Sequence, residues 1–216
     1  MSTALRALTM NRQAFLAWAE VQSSRYEFDG SAPVAMTGGT AIHSQITGNI
    51  QAALRTRLRG GGCRPLGPDA GIATIGDAVR YPDALITCSA FSPEDRLIPN
   101  PVVVFEVISP GSERADRIDK VREYQGAPTI LRYIIVEQAS IGATIFERSS
   151  GSDQWIARTV TTGETLPLPE VAIDLPLDDC YEGTALAAAE STPIAPYTEL
   201  GTTETTGEGH REPDHG

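Results

Sequence analysis

The chain has 216 residues, enough for one domain with a sizeable core and a tail. Its formal net charge of −11 argues against broad, sequence-independent nucleic-acid binding, which Lys and Arg drive by neutralising phosphates; a local basic groove stays open. Hydrophobic residues make up 41% and charged residues 21%, which is ordinary for a globular protein.

The opening residues show no long apolar run of the kind a signal peptide needs. No stretch approaches the ~18 consecutive apolar residues of a membrane span. Cys63, Cys88 and Cys180 lack CxxC spacing, so a zinc or redox pair is weakly signalled. Their sparse, odd count fits a reducing cytoplasm, and a cytoplasmic protein is the expectation.

Residues 9–22 predict a short amphipathic helix, with Phe15, Leu16, Trp18 and Ala19 on its apolar face and Thr9 or Asn11 as cap. Residues 24–39 predict a strand, a turn at Asp29–Gly30 and a second strand. Ile42, Ile46, Ile50, Leu54 and Leu58 recur every four residues and predict the longest helix over 40–59, stopped by "RGGG". Strands are expected at 70–75 and 79–88. The apolar run "PVVVFEVIS" (101–109) reads as a central strand buried on both faces. Residues 112–126 predict a helix with a Ser cap, Ala115, Ile118 and Val121 forming its apolar stripe. A buried strand at 131–138, a hairpin over 143–160 and one or two short Pro-edged strands over 166–183 follow. The fold class is therefore α/β, an α+β arrangement with a central mixed sheet flanked by helices and extra C-terminal strands. Residues 1–183 are expected to form the folded unit. Residues 184–216 are polar and Pro/Gly/Thr-rich, with six acids against one Arg, and are expected to be a disordered acidic tail.

Three residues stand out chemically. Glu106 lies inside the central strand, where a carboxylate costs several kcal/mol unless paired, protonated or metal-bound. Asp83 follows Pro82 at the start of a strand in the same sheet. Two carboxylates on adjacent strands make a hard-oxygen site suited to Mg²⁺ or Mn²⁺. Lys120 is the only lysine beside 16 arginines. It shares a helix face with Asp116 and Tyr124, Glu123 lying beside them, and a cation there can steady charge developing on a phosphate. Blander readings compete with each: an Asp116–Lys120 ion pair, an ordinary strand-start acid at Asp83, an Arg partner for Glu106. Arg55, Arg57 and Arg59 gather at the end of the long helix, as a solvated helix end or as a contact for a nucleic-acid backbone.

The run "RYPDALIT", then "PVVVFEVISPGSERADRIDKVREY", then "LRYIIVEQ" resembles the Uma-two family of restriction-endonuclease-like proteins, in the PD-(D/E)XK nuclease superfamily. The N-terminal segment "FLAW…RYE…DG…VAMTGGTAIHSQITGNI" is similar too, so the likeness spans roughly residues 11–183. It implies a restriction-endonuclease-like core and one divalent metal site holding Mg²⁺ or Mn²⁺. Asp83 takes the place of the PD aspartate, Glu106 that of the second acid, and the Val107 carbonyl that of a further metal ligand. The superfamily lysine position is Ile108 here; the family pattern moves the lysine to the next helix, where Lys120 stands. Glu27 matches a family acid that would complete the site, and His43 a position that would touch phosphate or polarise water.

The resemblance implies a metal-dependent endonuclease acting on DNA, with a homodimer as one way to cut both strands, and no membrane or organic cofactor. The competing reading is a nuclease-fold module with weak or no turnover that binds nucleic acid or a partner protein. An unrelated metal hydrolase fits poorly, because His43 is the only histidine outside the tail.

Overall fold

The computed structural model describes residues 10–108, 114–149 and 153–190, with the backbone alone at 114–117 and 190. Asn11 accepts a hydrogen bond from the Ala14 amide and opens α1 (Arg12–Ala19). β1 (Tyr26–Phe28) and β2 (Pro33–Ala35) pair as a hairpin. In its turn the Asp29 carboxylate accepts from the Ser31 and Ala32 amides. Thr40 caps α2 (Ala41–Arg57), whose four-residue period buries Ile46, Ile50 and Leu54. The chain continues through β3 (Arg64–Leu66), β4 (Ile72–Ala73), β5 (Val79–Arg80), β6 (Ala84–Thr87), β7 (Pro101–Ile108), α3 (Arg114–Gly126), β8 (Arg132–Glu137), β9 (Gly142–Arg148), β10 (Trp155–Thr161), β11 (Thr165–Leu168), β12 (Ile173–Pro176) and α4 (Ala185–Glu190).

The centre is a mixed sheet of six strands in the order β10-β9-β8-β7-β6-β3, with β7 and β8 parallel and joined through α3. Side chains alternate along β7. Val103, Phe105 and Val107 pack with Ile46, Ile50 and Leu54 of α2, while Val104 packs on the other face with Tyr124, Ala127 and Ile130. Glu106 shares that second face by the same alternation. This is why α3 can reach it. The β11–β12 hairpin closes the α2 side with Leu166, Leu168 and Leu175. A second sheet, β2-β1-β5-β4, carries α1 through Phe15, Phe28 and Val79.

Several expectations are revised. The 79–88 stretch is two strands in two different sheets, because Tyr81-Pro82-Asp83 breaks it between β5 and β6. The Pro that restricts its predecessor also lacks an amide for the ladder. The edge strand β3 was not expected; its three residues include Pro65 and carry no periodic signal. Ile118 is 51% exposed, and the fully buried Tyr124 occupies the sheet-facing position instead. The Ser cap and the Asp116 partner for Lys120 lie outside the described side chains. Cys63 and Cys88 are disulfide-bonded, so the sparse, odd cysteine count no longer argues for a reducing compartment. What stands is that no helix among the described residues is long and apolar enough to cross a membrane. Residues 185–190, assigned to the tail by composition, form α4, and Thr184 Oγ1 accepts from the Ala187 amide. Residues 191–216 lie outside the described residues.

Candidate active site

Asp83 sits one residue before β6. Ala84 pairs with Phe105 in the antiparallel β6–β7 register, so one further step sets Asp83 opposite Glu106 on the same face. The Val107 amide donates to Asp83 Oδ2 at 2.7 Å, replacing the ladder bond that a longer β6 would have made. The amide and carbonyl of one strand residue point to the same side. The next carbonyl, that of Ile108, turns the other way and accepts from the Gln138 amide. The Val107 carbonyl therefore opens towards Asp83, where β6 has already ended.

On the α3 side, Lys120 Nζ lies 3.2 Å from Glu106 Oε1 and 3.6 Å from Glu27 Oε1. The Tyr124 hydroxyl donates to Glu106 Oε1 at 2.8 Å. Lys120 and Tyr124 are four residues apart, one above the other on the helix face. Glu27, from β1, accepts the Tyr81 amide on Oε1 at 3.1 Å and Arg80 on Oε2 at 3.0 Å. His43 Nε2, from the first turn of α2, lies 3.3 Å from Asp83 Oδ2. Gly39 makes room for that imidazole, since a Cβ there would stand 2.6 Å from His43 Nδ1.

Burial pushes the Glu106 carboxyl up to about 7, Lys120 and Tyr124 pulling it down while Asp83 and Glu27 add to the rise. The hydrogen bond to Asp83 holds His43 above the usual imidazole range, against the opposing effect of burial. Asp83, Glu106, Lys120, Glu27, His43 and Val107 all line one cleft of about 570 Å³, between the β2–α2 segment and the ends of β6 and β7.

Among the described residues, no group of three or more His, Cys, Asp or Glu side chains forms a metal cage. The donor set still fits a small hard cation. Mg²⁺ keeps several waters and takes only one or two carboxylates from a protein. Both donors to Glu106 fall on Oε1, and both groups on Asp83 approach Oδ2. Among the described residues, Glu106 Oε2 and Asp83 Oδ1 are the carboxylate oxygens that remain, and the Val107 carbonyl faces the same space with the His43 imidazole beside it. Glu27 differs, since both its oxygens are engaged by Arg80, the Tyr81 amide and Lys120.

Arg55, Arg57 and Arg59 are not brought to this cleft. They lie at the other end of α2, Arg55 being about 18 Å along the axis from His43 at 1.5 Å per residue. Arg57 pairs with Asp179 and donates to the Asp174 carbonyl, whereas Arg55 and Arg59 are exposed. Sequence reasoning placed Tyr124 on the Lys120 face without giving it a role. It missed Arg80, whose only signal was its place three residues before Asp83.

The fold, a mixed sheet flanked by helices, is a nuclease-like one. It matches the crystal structure of a "putative nuclease belonging to DUF820" from Anabaena variabilis with a TM-score of 0.63 at 12% identity, over 79% of this chain and 96% of that one. An uncharacterized protein of Synechocystis sp. is 28% identical over 182 residues, 82% of this chain and 93% of its own. Residues 12–178 match the Uma2 family, described as "Putative restriction endonuclease". The chain belongs to that family.

Proposed function

We propose that this protein is a divalent-metal-dependent endonuclease that hydrolyses phosphodiester bonds in DNA. Family and fold support nuclease chemistry. The observation that carries the finer reading is the placement of Asp83 and Glu106 on one sheet face with Lys120 against Glu106. Asp83, Glu106 and the Val107 carbonyl would hold Mg²⁺ or Mn²⁺. When bound, the cation polarises the phosphate and lowers the pKa of the attacking water. Lys120 sets its ammonium beside the carboxylates, where it neutralises charge gathering on the phosphate oxygens. Tyr124 fixes Glu106 by its hydrogen bond, and Glu27 holds Lys120 from the far side. His43 steadies Asp83 and faces the same cleft, within reach of a phosphate lying in it. Exposed Arg55 and Arg59 extend the contact to a duplex running along α2, and a homodimer would present two such clefts to the two strands.

The test is cleavage of plasmid, single-stranded DNA and RNA in Mg²⁺ or Mn²⁺, with Asp83→Ala prepared in parallel. Cleavage of DNA by the wild type alone is the expected result. Equal cleavage by both would remove the site from the reaction. DNA binding without turnover, unchanged in Asp83→Ala, would make the protein a binding module.

A further inference from the structure

Behind the cleft, a chain of alternating charges runs through the protein: Glu123, Arg80, Glu27, Lys120, Glu106. Arg80 is at its middle and is 4% exposed. Its Nε and Nη2 bond both oxygens of Glu123, at 2.7 and 2.6 Å, and its Nη1 bonds Glu27. Thr74 adds a hydroxyl bond to Glu123 at 3.2 Å. Arg80 belongs to β5 and Glu27 to β1, in the second sheet, whereas Glu123 lies on α3, between Lys120 and Tyr124 in sequence. The guanidinium thus ties the helix that carries both Glu106 partners to the sheet that carries Glu27.

We propose that Arg80 is a positioning residue of the active site: its planar fork fixes α3 against the second sheet, and so sets the Lys120 ammonium between Glu27 and Glu106. A planar fork suits this task because two parallel bonds fix rotation as well as distance. Without it, Glu123 would be a buried carboxylate lacking its cation, and such a group moves towards water or unfolds its surroundings. Lys120, one turn earlier on the same helix, moves with it. The catalytic consequence rests on the nuclease reading; the positioning itself does not.

The protein contains its own control. Arg132 is also 4% exposed and also bridges two glutamates, Glu147 and Glu170, the latter through two bonds. None of these three residues lines the cleft. Arg132→Met therefore removes an equivalent buried pair without touching the site. Lys120 is the only lysine, so its acylation by an amine-reactive ester, followed by peptide mass spectrometry, reports its exposure directly.

Four proteins are compared at a temperature where each is folded: wild type, Arg80→Met, Arg80→Met with Glu123→Met, and Arg132→Met. Replacing a buried ion pair by apolar side chains restores stability in many proteins, so the double variant, in which Glu27 keeps the Tyr81 amide and Lys120, melts above Arg80→Met without recovering the clamp. Arg80→Met and the double variant are expected to acylate Lys120 several-fold faster. Their kcat falls roughly 100-fold, the order that an ångström of misplacement costs, with KM for DNA little changed. Arg132→Met lowers Tm but leaves Lys120 acylation and kcat within about twofold of wild type. An unchanged Lys120 acylation rate in Arg80→Met would overturn the proposal, as would equal loss of kcat in Arg80→Met and Arg132→Met. The acylation arm decides the positioning even if the wild type cleaves nothing.

Discussion

Glu106 occupies the one place on β7 where an acid is least welcome and most useful. Burial raises its carboxyl to about 7 from an ordinary value of 4.5, and the sign of the consequence follows from linkage. The unfolded chain releases this proton near the ordinary value, while the folded protein keeps it until about 7. The metal-free fold therefore loses stability as pH rises through that window. Glu106→Gln lacks the titration, so in EDTA its Tm should gain on that of the wild type between about pH 5 and pH 8. A constant difference across that range would show that Glu106 titrates normally. A bound cation needs the ionised form, so Mn²⁺ affinity, read by water-proton relaxation, should rise with pH and level off above about 7. Lys120 supplies the second prediction at this scale. Lys120→Arg keeps the charge, but brings a wider, planar head into the gap between Glu27 and Glu106. It should lose roughly 100-fold in kcat, close to Lys120→Ala; near-native turnover in Lys120→Arg would mean that charge alone suffices. Asp83, Glu106 and Lys120 were readable because each breaks a local pattern: an acid after Pro, an acid in an apolar strand, a lone lysine among arginines. Arg80 and Glu123 break none, and only the packing of α3 on β5 reveals them as partners.

The elements most clearly written in the sequence are those with a strong period or a strong punctuation. α2 repeats its apolar residues every four positions, β7 is nearly all apolar, and Asp29–Gly30 marks a turn. The failures are short or split pieces. β5 and β6 read as one strand, yet it is the break between them that frees Asp83 from the ladder and lets its side chain take the Val107 amide. β3 has no pattern of its own, and its place is set by pairing with β6, Arg64 opposite Thr87. That register brings Cys63 and Cys88, separated by 25 residues, to facing positions just beyond both strands, a neighbourhood no spacing rule contains. The disulfide staples the sheet's edge strand to β6. Closing a loop of that length disfavours the unfolded state by about 3.5 kcal/mol through lost chain entropy. Cys63→Ser, or reductant added to the wild type, should therefore lower Tm by several degrees in a calorimetric scan. Unchanged melting would mean that β3 is held by its backbone ladder alone. The reduced protein should keep its cleavage activity, because the bond lies at the end of β6 opposite Asp83.

Charge at the scale of the whole molecule limits how DNA can be held. The net charge is −11, and the cleft itself offers one lysine and one histidine against three carboxylates. A surface of this kind releases few counterions on binding. Each neutralised phosphate contributes about −0.9 to the slope of log K against log salt. The slope measured in EDTA, where no cleavage occurs, should therefore be shallow, roughly −2 to −4, against about −5 to −9 for a protein making 6–10 phosphate contacts. Arg55 and Arg59 are the exposed cations that a duplex following α2 would meet, so replacing both by Ala should flatten the slope by about 2. It should leave kcat at saturating DNA unchanged, because neither residue lines the cleft. If the slope stays as it was, the duplex leaves the cleft in another direction. If kcat falls while the slope stays, the end of α2 acts through the packing of Leu54 and Leu58 on the central sheet and not through phosphate.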